Sequence, residues 1–233
     1  MLWEIVGFSA LGSVGGLVGG IFLALRKKAF SHSQTLLMIS FAAGVMLATA
    51  FLDILPEAGI VNWWGVLLGV VFLFLLEKSL VWHHHHGDEC ESHVPTLITI
   101  GDSLHNFVDG VIIGGAFLAS PATGIITSLA VMAHEIPHEM ASFGLMLSLG
   151  WSRTKVIVSN LVSALVSVVG AVGVFYFREV PLELLLSFAG GMFIYLACSD
   201  LIPELHRSHK NNLAQILVFG LGIVFIYFMQ KAL

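Results

Sequence analysis

Apolar stretches of about twenty residues recur along this chain, near 3–25, 34–55, 63–82, 96–118, 125–148, 153–177, 182–205 and 212–230. A helix needs about that many residues to cross the hydrocarbon layer of a bilayer. Inside lipid the backbone must satisfy its own N–H and C=O groups, which leaves helices or closed barrels. Eight spanning helices are therefore expected, and a chain of 233 residues then has only short connections and no room for a separate soluble domain. Composition points the same way, with 57% of residues hydrophobic and 11% charged, where a soluble domain is about a quarter charged. The expectation is one all-α integral membrane domain, 1–233, with the lipid bilayer as its surroundings. The first stretch is long, Gly-rich and lacks a basic start, so it reads as a retained span rather than a cleaved signal peptide.

Basic residues orient such a bundle. Alternate connections collect Arg26, Lys27, Lys28, Lys78, Arg153, Lys155, Arg207 and Lys210 on one side, against Arg178 and Lys231 on the other. Eight against two places both termini outside and the 83–95 loop in the cytoplasm, with the plasma membrane as the expected host. Cys90 and Cys198 fall at different expected depths, so no disulfide framework is expected. The chain contains no GxxxxGK[ST] signature, so direct ATP-driven pumping is not expected. Neither nucleic acid nor an organic cofactor is an expected partner, and monomer and homodimer both stay open.

Residues 40–58, SFAAGVMLATAFLDILPEA, align with 187–205, SFAGGMFIYLACSDLIPEL, at eight identities in nineteen positions. The shared residues include Gly44/Gly191, Asp53/Asp200, Pro56/Pro203 and Glu57/Glu204. Unrelated apolar segments would share roughly one or two, so an internal duplication is expected. The copies lie on the second and seventh spans, an odd number of crossings apart, and therefore run in opposite directions. Inverted repeats are a transporter architecture, with the substrate site near the midplane at the repeat interface. Matching helices 1–3 to helices 6–8 leaves helices 4 and 5 unpaired in the centre.

Those two helices carry the most expensive residues in the sequence, HNFVDG (His105–Gly110) and HEIPHE (His134–Glu139). An ionised Asp at a helix centre costs about 2.5–3.5 kcal/mol on insertion scales, so such groups face the protein interior and find partners. His105 and Asp109 are four apart, and Asn106 is three from Asp109, so all three share one face. The same arithmetic groups His134 with His138 and Glu135 with Glu139. Imidazole and carboxylate in one small volume suit zinc first, with iron, manganese, cobalt and cadmium as further candidates. A hydrogen-bonded network that only joins helices uses one or two such groups; seven exceed it. Pro137, between the two histidines, frees the Ala133 carbonyl and favours a kink.

Two further features stand apart. The loop WHHHHGDECESHVP offers His83, His84, His85, His86, Cys90 and His93, a composition that binds transition metals and reads as a transient receiver where imported metal would emerge. Gly12, Gly16 and Gly20, and likewise Gly110 and Gly114, recur every four residues, which permits close helix approach.

The paired motifs resemble the ZIP (Zrt/Irt-like) divalent-metal transporters, and HExPHE with GGMFIYLACSDLIPEL is similar to their LIV-type branch. The resemblance implies eight helices in a 3+2+3 arrangement and zinc import towards the cytoplasm by alternating access, with no enzymatic reaction. It carries the transport site onto His105, Asn106, Asp109, His134, Glu135 and His138. Met46 resembles a position that adds a thioether ligand. Asp200 resembles an acidic residue along the release path, preceded by Ser199; their repeat surroundings, Asp53 and Glu204, are further pathway candidates. Glu139 stays open between ligand and supporting group. Some relatives complete a second metal position with a glutamate on helix 6, where Ser167 stands here. The chain also reads as a core-only version, without the long histidine-rich amino-terminal domain of many relatives. Two rivals remain. HEIPH contains HExxH, as in intramembrane metalloproteases, with Asp109 or Asp200 as third ligand, although Pro137 and HNFVDG have no role there. His105 to Asp109 also reads HxxxD, as in cation-diffusion exporters, which need a second such motif.

Overall fold

The computed structural model describes residues 1–24, 32–83, 94–176, 179–206 and 212–232. Among them the chain is all-α, with eight long helical rods and no strand. Helix 1 is Leu2–Ala24, helix 3 Trp63–His83, helix 4 Val94–Ala119, helix 5 Pro121–Ser148, helix 6 Arg153–Tyr176 and helix 8 Asn212–Ala232. Helix 2 begins as His32–Ala48 and continues through a π-helical turn, Thr49–Ile54, into Leu55–Glu57. Helix 7 repeats that construction as Leu182–Leu196, a π-helical turn Ala197–Leu201, and Ile202–His206.

Among the described residues, five helices are long and apolar enough to cross a membrane on length and composition alone: Leu2–Gly19, Ser33–Glu57, Arg153–Tyr176, Leu182–His206 and Asn212–Ala232. Helices 4 and 5, at 26 and 28 residues, have the length. Their histidines and carboxylates are what lower their hydropathy.

Both π-helical turns lie just ahead of the duplicated prolines. Proline has no N–H for the carbonyl four residues back, and its ring crowds that carbonyl, so the helix widens locally. In helix 2 the carbonyl released by Pro56 is that of Leu52, and the side-chain amide of Gln230 on helix 8 donates to it.

Glycine sets the helix crossings, and the crossings follow the duplication. A Cβ on Gly44 would run into the Phe219 carbonyl, and one on Gly222 into that of Phe41, so helices 2 and 8 meet backbone to backbone. Gly191, the repeat counterpart of Gly44, does the same against the Val66 carbonyl, and Gly69 against that of Phe188, which joins helix 7 to helix 3. Helices 4 and 6 cross where Gly110 meets Ser167 and Gly170 meets Phe107; helices 1 and 5 cross where Gly12 meets the Ser128 carbonyl and Gly16 the Glu135 Cβ. Without a hydrophobic drive between helices in lipid, such close contact is what makes them associate. Helices 1, 4, 5 and 6 form one group. The other consists of the pairs 2–8 and 3–7, joined to the first through helix 2 on helix 5 and helix 7 on helix 4.

Local signals bring helices 4 and 5 face to face. Ser120 sits in extended conformation with its hydroxyl accepting from the Thr123 N–H at 3.0 Å, and Pro121 takes the first helical position. That cap starts helix 5 one residue after helix 4 has ended at Ala119, ahead of the apolar run itself. At the other end Gly150, at φ 88°, closes helix 5. The Trp151 N–H reaches back to Met146 and the Gly150 N–H to Leu147, a Schellman turn that only glycine accommodates without strain.

Candidate metal centre

Four side chains from the two central helices converge on one point: His105 and Asp109 from helix 4, His134 and Glu135 from helix 5. Their ligand atoms all lie within 4.8 Å of one another. His105 Nε2 is 3.3 Å from His134 Nε2, 3.7 Å from Asp109 Oδ2 and 3.4 Å from Glu135 Oε1. His134 Nε2 is 3.1 Å from Asp109 Oδ2 and 3.6 Å from Glu135 Oε1. A tetrahedral zinc with bonds of about 2.0–2.1 Å has ligand-to-ligand edges of about 3.3–3.4 Å. Five of the six edges of this set scatter around that length.

The electrostatics ask for a cation. Asp109 and Glu135 are fully buried, and Asp109 Oδ1 and both Glu135 oxygens make no hydrogen bond. A buried carboxylate in that condition is unfavourable by several kcal/mol unless a positive charge answers it. One imidazole is also held ready. His134 Nδ1 lies 3.2 Å from the Ala130 carbonyl; donating to it from Nδ1 would leave Nε2, which faces the cluster, free to ligate a cation. Phe193 of helix 7 packs edge-on against that ring, 6.3 Å between centroids.

His138, expected in the same set, is not among the four most tightly clustered residues and stands beside them. Its Nε2 lies 3.2 Å from Asp102 Oδ1, while its ring stacks parallel on His105 at 4.9 Å. Helical geometry explains the split: His138 is one turn beyond His134, which carries it past the convergence point, and Glu135 at the neighbouring position fills the place instead. Asn106, also expected as a ligand, is fully buried; its amide donates to the Asp102 carbonyl at 3.0 Å and to Ser163 Oγ at 3.4 Å, and its Oδ1 makes no hydrogen bond. Glu139 accepts from Asn160 Nδ2 at 2.6 Å and is not among the four clustered residues. On helix 6, Ser163 faces Asn106, whereas Ser167 donates to the Ser9 carbonyl at 3.5 Å at the glycine crossing.

Three of these residues escaped the sequence reading. Asp102 precedes His105 by three and Asp109 by seven, so extending the His105 face by one turn finds it. Asn160 and Ser163, three apart on helix 6, offered only the weak signal of two polar residues on one helical face.

Among the described residues, the acidic candidates Asp53 and Glu204 are not in the cluster. Met46 is fully buried in the apolar core. Asp53 is buried on the first π-helical turn with Oδ2 making no hydrogen bond. Ser199 and Glu204 are partly buried on helix 7. Asp200 belongs to its π-helical turn, with the side chain outside the described residues. His83 ends helix 3, its side chain likewise outside them, as are His84, His85, His86, Cys90 and His93 altogether.

Helices that cross a membrane, closing two imidazoles and two carboxylates around a point at their centre, define a multi-pass integral membrane protein built around a candidate cation site. The chain belongs to the ZIP zinc transporter family, whose model matches residues 83–230. It is 38% identical over 142 residues to zinc transporter foi of Drosophila melanogaster, a match covering 60% of this chain and 20% of that protein. It is 34% identical over 170 residues to human zinc transporter ZIP10, covering 62% and 20%, and 42% identical over 117 residues to human zinc transporter ZIP4, covering 48% and 18%. The matched region thus spans about a fifth of each of these relatives. Membership in a family of transporters sets aside both the metalloprotease and the cation-diffusion readings.

Proposed function

We propose that this chain carries divalent transition metal, zinc foremost, across a membrane by alternating access through His105, Asp109, His134 and Glu135. The observation that carries this reading is the set of five edges between 3.1 and 3.7 Å around one buried point. Two carboxylates cancel the charge of a dication, so the loaded cluster is close to neutral and tolerable at low dielectric. Two imidazole nitrogens supply the borderline-soft affinity that favours zinc and its near neighbours cobalt and cadmium, while iron and manganese prefer more oxygen ligands. Relatives named as zinc transporters, together with a metal cation symporter ZIP14 of Xenopus tropicalis, support the substrate class.

Eight spans in a 3+2+3 inverted repeat, with both termini outside, fit the duplicated DxxPE turns and the distribution of Lys and Arg. On that orientation the Val94 end of helix 4 and the Ser148 end of helix 5 face the cytoplasm, and transport runs inward, in a plasma membrane. The 83–93 tract then stands where metal leaves, as a transient receiver. All four ligands come from one chain, so the site needs no second copy, and a homodimer would serve other purposes. HEIPHE supports placement in the LIV-type branch.

Initial zinc flux into proteoliposomes containing the purified protein tests the reading. Saturable uptake that Asp109→Ala abolishes is the expected result. Equal uptake by the two proteins would remove the cluster from the transport path.

A further inference from the structure

Helices 2, 5 and 8 leave a groove of about 430 Å3 between them, within the size range of small-ligand sites. Met38 and Phe41 of helix 2, Met132 and Ile136 of helix 5, and Val218 and Phe225 of helix 8 line it, and its other lining residues are apolar too. On helix 5 the lining positions 129, 132, 133 and 136 follow i, i+3, i+4 and i+7, one face of a helix. His134 and Glu135 lie off that face and point into the cluster. Groove and candidate metal centre are thus two sides of one stretch of helix 5. Its walls are held apart. Helices 2 and 8 are locked where Gly44 meets the Phe219 carbonyl and Gly222 that of Phe41. Met132 and Ile136 are backed by helix 1, where a Cβ on Gly15 or Gly19 would come within 3.1 Å of them.

Depth decides what fills such a groove. At 1.5 Å per residue, Val218 and Phe225 stand about 9 and 20 Å along helix 8 from its start at Asn212. That is the middle of a span, Asn212–Ala232, and the hydrocarbon layer is about 30 Å thick. Water finds no polar side chain to hold it there, and apolar cavities stay dry. The groove opens sideways past Phe225, 40% exposed, and at that depth the bilayer offers only acyl chains. Met38 and Met132 are unbranched and adaptable, suited to a flexible aliphatic occupant. The groove also lies at a joint between the two helix groups, where helix 2 packs on helix 5.

We propose that this groove is a binding site for one acyl chain of a bilayer phospholipid, which enters and leaves as the two helix groups move. This rests on the reading of transport as alternating access. Such a cycle shifts one group against the other, and the joint of helices 2 and 5 carries the groove. A chain seated there gains dispersion contacts with both groups. It therefore favours the conformation in which the groove has this width, because a ligand shifts an equilibrium by its differential affinity for the two states. A lipid chain withdraws when the joint moves. A bulky side chain fixed in the groove does not, and it holds helix 5, with His134 and Glu135, against helices 2 and 8.

Photolabelling tests the site, with the full chain in nanodiscs of phosphatidylcholine that carries a diazirine midway along one acyl chain and the labels mapped by mass spectrometry. Carbene insertion at Met38, Met132 and Ile136 is expected to exceed that at Leu217 and Leu221, although these two are 60% and 58% exposed on helix 8. Val218→Trp fills the groove and should lose the label at all three groove positions. In proteoliposomes the same variant is expected to lower maximal zinc flux about 5-fold or more, while zinc still raises its thermal midpoint as in the wild type. Labelling in the groove no stronger than at Leu217 and Leu221 overturns the proposal, whatever the variant does. Wild-type flux in Val218→Trp overturns it as well. If Asp109→Ala transports as fast as wild type, the reading of the cluster fails separately, and the labelling pattern still decides whether the groove holds a chain.

Discussion

The two groups of helices are assembled by the same device and filled with opposite chemistry. Helices 2 and 8, and 3 and 7, cross where glycines meet backbone carbonyls, as do helices 4 and 6, and 1 and 5. Between helices 4, 5 and 6 lie Asp102, Asn106, Asp109, His134, Glu135, Glu139 and Asn160, all buried. The 2–3–7–8 group buries Met46, Ile54, Leu186, Met192, Phe193, Leu196 and Ile226, and among the described residues its one buried carboxylate is Asp53. Close packing is therefore common property, and among the described residues the clustered candidate ligands lie in one group. The other group supplies walls, such as Phe193 against His134, and two π-helical turns.

The sharpest way to break this contrast is to remove a carboxylate from each group. Asp109→Ala is expected to lower zinc flux about 100-fold or more with a normal elution profile on size exclusion, since losing a direct ligand exceeds the 10–100-fold typical of groups behind the ligands. Asp53→Ala should cost less than about 10-fold in the same assay. If the two losses were equal, binding chemistry would have to be shared between the groups.

Glycine substitutions test the opposite half of the comparison, that packing is equivalent. Gly110→Val and Gly44→Val each drive a side chain into a carbonyl on a neighbouring helix, and overpacking of this kind destabilises by about 1–3 kcal/mol or more. Both should lower the yield of folded protein and its thermal midpoint to a similar degree. A tolerant Gly44 would mean that the 2–8 crossing is looser than the 4–6 crossing.

Zinc itself should stabilise through one group only. At about 100 times Kd a ligand adds about 2.7 kcal/mol to the folded state, so thermal unfolding should rise with zinc in the wild type and fall back with chelator. Asp109→Ala should lose most of this rise, whereas Asp53→Ala should keep it. Asn160→Ala leaves the buried Glu139 carboxylate without its donor, at about 1–3 kcal/mol, read as a lower midpoint with or without zinc. The smallest effect is expected for Gln230→Ala, which strips the Leu52 carbonyl of its partner at the edge of helix 8 and should cost about 0.5–1.5 kcal/mol. A larger loss there than at Asn160 would make the π-helical turn, rather than the polar interior, the more fragile element.

Much of this architecture was legible in the residues. Apolar runs announced the helices because lipid allows few alternatives, and the DxxPE duplication pointed to two equivalent segments, each of which holds a π-helical turn ahead of its proline in the structure. His105 with Asp109 could be paired from spacing, since a helix brings i and i+4 together regardless of its neighbours. Spacing on helix 5 leaves more open, for a related reason. It grouped His134 with His138, but which of two residues on one face reaches a point between helices depends on where along its length that helix crosses helix 4. Ser120, Pro121 and the glycine crossings fix that height, and they admit His134 and Glu135 while leaving His138 to Asp102.

Sequence alone thus determined the class of the protein, its helices, its duplicated segments and the residue types of its candidate site, because these follow from local periodicity and from the energetics of burying charge. Tertiary structure decided the membership of the cluster and the place of Asp102, Asn160 and Ser163 around it. Those assignments turn on distances of a few tenths of an ångström between side chains on different helices, and such distances arise only once the helices have packed.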